Sequence, residues 1–252
     1  GWVPVRALAE KGAADAPPHT PFIEANDEFA ARVALQANWA ADAGMALFVV
    51  PGTVETPGEA RAEHVVQTQA VLVDLDHGDI AAKRAQIVRH IGIPTPEVAW
   101  GGVTPEGQRK LPLYWRLTEP AEGEDIARVC RARHMIATKV GGDPSFRSAH
   151  QPIRVAGSVH AKSGTRRLVE ILHHEPRDHD LGELIEAIIG MPPLEGEAPS
   201  DLDFNDASGT TGSVTELFGR RVREGGVDGT TRFEALSRGI GYWIRRCREG
   251  HV

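Results

Sequence analysis

The stretch VLVDLDHGD, at residues 71–79, places two carboxylates inside the pattern of a buried strand. Its first half is apolar, but Asp74 and Asp76 interrupt it two residues apart. On an extended strand this spacing directs both side chains to the same face, where like charges repel and burial without partners is costly. The arrangement is tolerable when a divalent cation lies between the acids and an anionic substrate, so the stretch constrains both fold and chemistry.

The composition is that of an ordinary globular chain, with 252 residues, 41% hydrophobic and 25% charged. No apolar run approaches the roughly 20 residues that span a membrane. The only two cysteines, Cys130 and Cys247, lie far apart in sequence, which argues against a disulfide scaffold and predicts a cytoplasmic location. The net charge of −7 argues against a non-specific nucleic-acid coat protein.

Charge is strongly segregated along the chain. Residues 145–168 contain five basic residues, two histidines and no acid, whereas residues 169–206 contain eleven acids and one arginine. This asymmetry predicts one surface that binds anions and another that stays solvated.

Hydrophobic periodicity predicts helices alternating irregularly with strands, which favours the α+β class over a regular βαβ repeat. The predicted helices are 26–44, 79–92, 121–140 and 181–190. The predicted strands are 45–52, 71–76, 97–102, 111–117, 152–159 and 166–174. Residues 53–68 are polar and predict a helical turn. We expect a catalytic domain over 1–193, an acidic flexible linker over 194–212 and a small helical domain, truncated here, over 213–252.

Several residues further along the chain supply the acidic and basic groups that phosphate chemistry needs. Asp143, in the Gly-rich stretch GGDPSF, would supply a third carboxylate, and Glu170 on the apolar stretch LVEIL competes for that role. Arg154, His160 and Lys162 then surround a Gly-Ser turn, and arginine and lysine both bind phosphates. Three acids for Mg²⁺ or Mn²⁺, followed by cations for a triphosphate, are what nucleotidyl transfer requires.

At this point the sequence resembles the archaeo-eukaryotic primase superfamily, and most closely its RepB-type and primase-polymerase members from plasmids and phages. The motifs that carry the resemblance are VLVDLD, LPLYWRL, GGDPSFRSAHQPIRVAGSVHAKSG and the C-terminal VREGGVDGTTRFEALSRGIGYWIRRCREGH, in that order. The resemblance implies an RRM-like mixed or antiparallel sheet flanked by helices. It also implies a catalytic site that uses two Mg²⁺ or Mn²⁺ ions.

The resemblance also assigns roles to individual residues. Asp74, Asp76 and Asp143 would bind metal and act in catalysis. Nucleotide binding would fall to Arg154 and Lys162, aided by His150 or His160. Apart from the resemblance, the basic residues Arg147, Arg166 and Arg167 are predicted to contact DNA. The chain departs from many relatives in lacking a Ser-x-x-x-His motif in residues 100–115, where Arg109 or Lys110 could contact phosphate instead.

The predicted function is that of a template-dependent DNA primase/polymerase that starts replication of a plasmid, phage or integrated element. Its partners would be a single-stranded DNA template, NTPs or dNTPs and a replicative helicase, with no membrane. Two alternatives stay open: a D-x-D sugar-nucleotide transferase and a non-catalytic origin-binding replication module. A two-metal nuclease would explain the acids but not the basic cluster. The choice between NTPs and dNTPs also stays open at this stage.

Overall fold

The computed structural model describes residues 1–9, 17–160 and 166–195. Lys162, Cys247, the predicted helical domain over 213–252 and all but the first two residues of the predicted linker lie outside these ranges. The predictions for those segments therefore stay predictions. Within the described ranges, no helix is both long and apolar enough to cross a membrane.

The described residues form eleven strands and four α-helices. The strands are β1 (Trp2–Ala9), β2 (Phe22–Glu24), β3 (Met45–Val49), β4 (Thr53–Val54), β5 (Val65–Leu75), β6 (Pro96–Ala99), β7 (Leu111–Glu122), β8 (Ile153–Arg154), β9 (Val159–His160), β10 (Arg167–Leu168) and β11 (Glu170–His174). The helices are α1 (Phe29–Asp42), α2 (Ile80–Ile91), α3 (Glu124–Val140) and α4 (Leu181–Gly190). Two short 3₁₀ helices, Ala62–His64 and Pro144–Arg147, lie in the connections.

Nine of the strands join one sheet in the order β11-β6-β7-β5-β4-β1-β3-β8, with β2 paired to β1. Every named strand pair in this sheet is antiparallel. The strands β9 and β10 form a separate antiparallel hairpin. The predicted α+β class with an antiparallel sheet is confirmed.

The two faces of β5 have different neighbours. Its residues Val71, Val73 and Leu75 are buried in the core that includes side chains of α2, α3 and α4. Leu72 points the other way and packs with Tyr114 of β7 in a smaller cluster. Because side chains alternate along a strand, Asp74 lies on the same face as Leu72, away from those three helices.

A buried arginine secures β5 near its middle. Arg133 of α3 is 1% exposed and donates hydrogen bonds to the Ala70 carbonyl (2.7 Å) and to the Thr68 hydroxyl (3.1 Å), where the pairing with β7 shifts register. A further hydrogen bond from Arg133 reaches the Ser148 carbonyl at 3.2 Å. One cation thus satisfies groups on β5 and on the segment after the second 3₁₀ helix, and burial lowers its pKa to about 10.

The predicted helical turn within residues 53–68 is present as the 3₁₀ helix Ala62–His64, but the sequence did not reveal the strands β1 and β4 or the early start of β5. Residues 53–68 contain β4 and the start of β5 besides the 3₁₀ turn, so the central strand begins six residues earlier than its apolar core suggested. The strand β1 was missed because Pro4 interrupts it, yet β1 lies inside the sheet. The Pro4 position is tolerated because its carbonyl still accepts a hydrogen bond, from the Val50 amide at 3.0 Å.

Candidate active site

Asp74 is a buried carboxylate near the end of β5. Its residue is 5% exposed, and its Oδ1 atom is buried with no hydrogen-bond partner among the described residues. Burial above all, together with the carboxylates of Asp76 and Asp143, raises the pKa of Asp74 to about 7, against the opposing charges of Lys110 and Arg154. The protein therefore keeps a carboxyl where negative charge is disfavoured, a penalty that a bound cation would offset.

Asp76 follows β5 directly and has local partners. Its Oδ1 atom lies 2.6 Å from His77 Nδ1, and its Oδ2 atom lies 3.6 Å from Lys110 Nζ. Burial opposes ionisation of this carboxyl, but the contacts with His77 and Lys110 prevail and hold its pKa below the ordinary value. The two aspartates of the D-x-D therefore differ: Asp76 is stabilised as a carboxylate, and Asp74 is not.

The end of α3 brings Asp143 to the same place. Gly141 ends the helix in the left-handed conformation (φ 62°), and the Asp143 amide then donates a hydrogen bond to the Asp74 carbonyl at 3.0 Å. The Asp143 carboxylate accepts hydrogen bonds from the Ser145 amide (2.8 Å) and hydroxyl (2.9 Å). Asp143 thus caps the 3₁₀ helix Pro144–Arg147 while its charge acts on Asp74.

Glycine is required at position 142 for this approach. A Cβ atom there would lie 2.9 Å from Val73 Cγ2 and 3.0 Å from the Asp74 carbonyl oxygen. The second contact is with a backbone atom, which cannot move away as the end of a flexible side chain can. Only glycine lets the segment carrying Asp143 lie directly against β5.

We expect Gly142→Ala to destabilise the protein by about 1–3 kcal/mol, because the added methyl group pushes the Asp143 segment away from β5. Urea unfolding measures this loss. Gly190→Ala is the matched control, since a Cβ at Gly190 meets nothing within 4 Å and alanine is the better helix former. Equal stability of the two variants would contradict the close approach.

The three carboxylates fit a hard divalent cation held in an open site. Among the described residues, no three acidic, histidine or cysteine side chains already converge as in a closed metal centre. Mg²⁺ and Mn²⁺ do not need such a cage, since Mg²⁺ usually takes one or two carboxylates and completes its shell with water and substrate phosphates. The unpartnered Oδ1 atom of Asp74 and the charge of Asp76 and Asp143 meet that requirement.

The comparison with solved structures identifies the fold. The AEP domain of the cyanophage S-2L primase-polymerase aligns with a TM-score of 0.58 at 17% identity, over 74% of this chain and 89% of that one. The chain has the archaeo-eukaryotic primase fold. Primase RepB′ aligns with a TM-score of 0.50 at 14% identity, over 74% of this chain and 56% of that one. No protein-family model and no curated protein sequence matches the chain.

Within this primase fold, Arg154 lies beside the acids as the sequence predicted. It belongs to β8, which pairs with β3, and its guanidinium lies 4.7 Å from the centre of the Phe48 ring. Its charge is close enough to Asp74 to lower the pKa of that carboxyl. The role of Arg154 in nucleotide binding stays a prediction, as does that of Lys162, which lies outside the described residues.

The other residues that were predicted to bind nucleotide or DNA lie at separate positions in the structure. His150 Nδ1 is 2.6 Å from the Ser148 hydroxyl, His160 pairs with Arg167 across the β9–β10 hairpin, and Arg147 is exposed at the end of its 3₁₀ helix. Arg166 donates to the Ala41 carbonyl (2.7 Å) near the end of α1. The predictions for these residues remain open, and Arg166 has a structural partner besides.

The β6–β7 connection carries two neighbouring cations whose side chains contact different acids. The sequence alone did not show which acid each of them contacts. Lys110 reaches Asp76, whereas Arg109 pairs with Glu170 of β11 (Nη1–Oε2 3.3 Å). The side chain of Glu170 is therefore held at another strand, and Asp143 is better placed as the third acid. Sequence reasoning missed one further residue, Lys83, although its place between Ile80 and Ile87 on the inward stripe of α2 was a signal.

Proposed function

We propose that the protein is a template-dependent DNA primase/polymerase that joins NTPs or dNTPs with the help of two divalent metal ions. The observation that carries the proposal is the buried, electrostatically disfavoured Asp74 carboxyl beside Asp76 and Asp143 on a sheet of the primase fold. A structural role alone gives no reason to bury Asp74 beside two further acids, because burying unpaired charge costs stability.

Asp74, Asp76 and Asp143 would hold Mg²⁺ or Mn²⁺. When bound, the ions would acidify the attacking hydroxyl and neutralise charge that develops on the phosphates. Asp76 is ready for this role, since its pKa is already held low by His77 and Lys110. Asp74 would lose its proton on binding, because a cation offsets the burial and the repulsion that raise its pKa.

Basic side chains would orient the triphosphate. Arg154 and Lys110 both act on the charge of Asp74 and so lie within reach of a nucleotide held there. Lys162, His150 and His160 would add contacts to the same phosphates. Guanidinium and ammonium groups placed in advance stabilise the leaving pyrophosphate without reorganisation in the transition state. The cluster around Leu72, Tyr114 and Phe146 forms the rigid base of the site.

The wider assignments belong to the same proposal. Residues 1–193 would be the catalytic domain, joined by an acidic linker at 194–212 to the helical segment 213–252. A single-stranded DNA template would contact Arg147, Arg166 and Arg167, and a replicative helicase would act with the protein. The setting would be the replication of a plasmid, phage or integrated element in the cytoplasm.

The test is primer-independent synthesis on single-stranded DNA with labelled NTPs or dNTPs and Mg²⁺ or Mn²⁺. We expect short products from the wild type and none from Asp74→Ala/Asp76→Ala, with Asp27→Ala as the control for an exposed aspartate. Comparing the two nucleotide pools decides substrate preference. A wild type that makes no product and binds no nucleotide in a metal-dependent way would favour the transferase or origin-binding alternatives.

A further inference from the structure

A second polar cleft lies at the β11 end of the sheet. It has a volume of about 260 Å³, and its lining includes Ala99, Gly101, Arg109, Arg167, Leu168 and Glu170. These residues come from the end of β6, the connection to β7, and the strands β10 and β11. The volume suits one planar base with part of its sugar.

Two residues of this cleft, Ala99 and Glu170, lie on the face of the sheet opposite the aspartates. Ala99 is the pairing partner of Glu170, and both alternate with Val98 and Val169 along their chain segments. Val98 and Val169 are buried with Tyr114, on the face that carries Asp74. Because neighbouring side chains on extended backbone point to opposite faces, Ala99 and Glu170 point away from the proposed catalytic site. The cleft is therefore separate from the metal site proposed above, although it shares Arg167 with the proposed template contacts.

The cleft is preformed, with an apolar floor and a polar rim. Ala99 is buried and Leu168 is 53% exposed, which gives a flat ligand a surface to pack on. Gly101 has φ +81°, and a Cβ there would lie 3.1 Å from His160 Cβ and 3.2 Å from Arg167 Cβ. The turn after β6 is thereby fixed beneath the β9–β10 hairpin, so the lining does not have to assemble on binding.

The polar rim can exchange its contacts at little cost. Arg109 and Glu170 form an ion pair of 3.3 Å between side chains that are 61% and 48% exposed. Arg167 makes a long hydrogen bond of 3.4 Å to the Gly101 carbonyl. Exposed pairs of this kind contribute little stability, so a ligand that offers acceptors to the arginines and donors to the carboxylate can replace them.

We propose that this cleft binds a single guanine base. Guanine presents the acceptors O6 and N7 on one edge, which suit the bidentate fork of an arginine. Its N1–H and N2–H₂ groups are adjacent donors that suit the two oxygens of the Glu170 carboxylate. No other DNA base combines a pair of acceptors with a neighbouring pair of donors in this way, and the ring would pack on Leu168.

The guanine could belong to a nucleic-acid strand or to a free nucleotide. A strand source rests on the proposed function, because a template that passes the aspartates would then be read at one position by the opposite face. Recognition of the base itself does not need catalysis. The two inferences therefore fail independently.

The test measures binding by fluorescence anisotropy with the full chain in EDTA. The probes are short labelled oligothymidylates that carry one internal thymine, guanine, inosine or 7-deazaguanine. We expect guanine to bind about tenfold or more tighter than thymine. Inosine lacks the N2 donors and 7-deazaguanine lacks the N7 acceptor, so each should lose most of that gain. Competition with free dGMP then separates the two sources: strong competition indicates a free nucleotide, and weak competition indicates a strand.

Variants test the lining. Glu170→Gln should remove the preference for guanine over inosine, and Arg109→Gln/Arg167→Gln should remove the preference over 7-deazaguanine, while Glu119→Gln, at an exposed position of β7, should keep both. Asp74→Ala/Asp76→Ala should keep the guanine preference even though synthesis is lost. Equal affinity for all four probes, or a guanine preference that survives Glu170→Gln, would overturn the proposal. If the wild type prefers guanine but makes no product, the result contradicts only the proposed primase activity.

Discussion

Replacing Asp74 with asparagine should abolish nucleotide joining and, at the same time, make the metal-free protein more stable. Activity should fall by about a thousandfold or more, because the variant loses a carboxylate from the proposed metal site and with it stabilisation of transition-state charge. Stability should rise because the amide removes a buried charge that Asp76 and Asp143 repel. An asparagine also brings two N–H donors to those carboxylates.

The gain in stability should depend on pH with a definite sign. The pKa of Asp74 is about 7 in the folded protein against 3.8 for the ordinary group, so the folded state binds this proton more tightly than the unfolded state. Ionising the carboxyl therefore costs stability progressively between about pH 4 and pH 7, and the cost is complete above pH 7. The full shift corresponds to at most about 4 kcal/mol. The variant should gain about 2–4 kcal/mol at pH 8 and roughly a third of that at pH 5.

Urea unfolding in EDTA at pH 5 and pH 8 measures this difference. Asp27→Asn, at an exposed position, is the control and should match the wild type at both pH values. Adding Mn²⁺ should raise the stability of the wild type far more than that of Asp74→Asn, because the ion binds the folded state through this carboxylate. A variant that is less stable than the wild type at pH 8 would mean that Asp74 has a structural partner.

Lys83→Met should lower kcat/KM by about 10–100-fold while the fold is retained, as is typical when the support of a metal ligand is removed. Lys83 is 1% exposed on α2, and its Nζ atom donates to the Gly141 carbonyl at 2.6 Å. That carbonyl ends α3 immediately before the segment that places Asp143 against Asp74. Losing the donor loosens the third acid without touching the other two.

A titration of activity against Mn²⁺ separates this positioning role from simple destabilisation. We expect Lys83→Met to need a higher Mn²⁺ concentration for half-maximal rate, and to recover part of its rate when the ion is in excess. Arg89→Met, at an exposed position of the same helix, should leave the titration unchanged. If Lys83→Met keeps the wild-type metal dependence and loses rate only in proportion to its unfolded fraction, Lys83 serves the fold alone.

Much of the site could be predicted from the sequence because its signals are local. The D-x-D spacing, the glycines before Asp143 and the alternation around Arg154 each depend on a few neighbouring residues. The difference in pKa between the two aspartates was not predictable from the sequence. It depends partly on Lys110, which contacts Asp76 from the β6–β7 connection. The same holds for Glu170, whose face of the sheet is decided by its pairing with Ala99.

The fold was predictable in class but not in its order of strands. Helices with a clear apolar stripe were found close to their observed ends, since cap residues such as Asp79 and Gly92 mark them. The strand β1 escaped notice because Pro4 interrupts its pattern and because its partners β2, β3 and β4 lie elsewhere in the chain, so that only pairing reveals its place. Short strands such as β8 carry too few residues for any periodic pattern.

The interior position of β1 also has a mechanical consequence. Asp74 and Asp76 belong to the part of the sheet formed by β5, β6, β7 and β11, whereas Arg154 belongs to β8 at the opposite end. In the strand order these two parts meet only through β4 and β1. Loosening the pairing at β1 would remove the hydrogen-bonded link between the two parts and leave only side-chain packing, such as that of Ile153 of β8 against the cluster around Leu72, to hold them together. The strand β1 thus helps to hold Arg154 near the aspartates although it carries none of these residues.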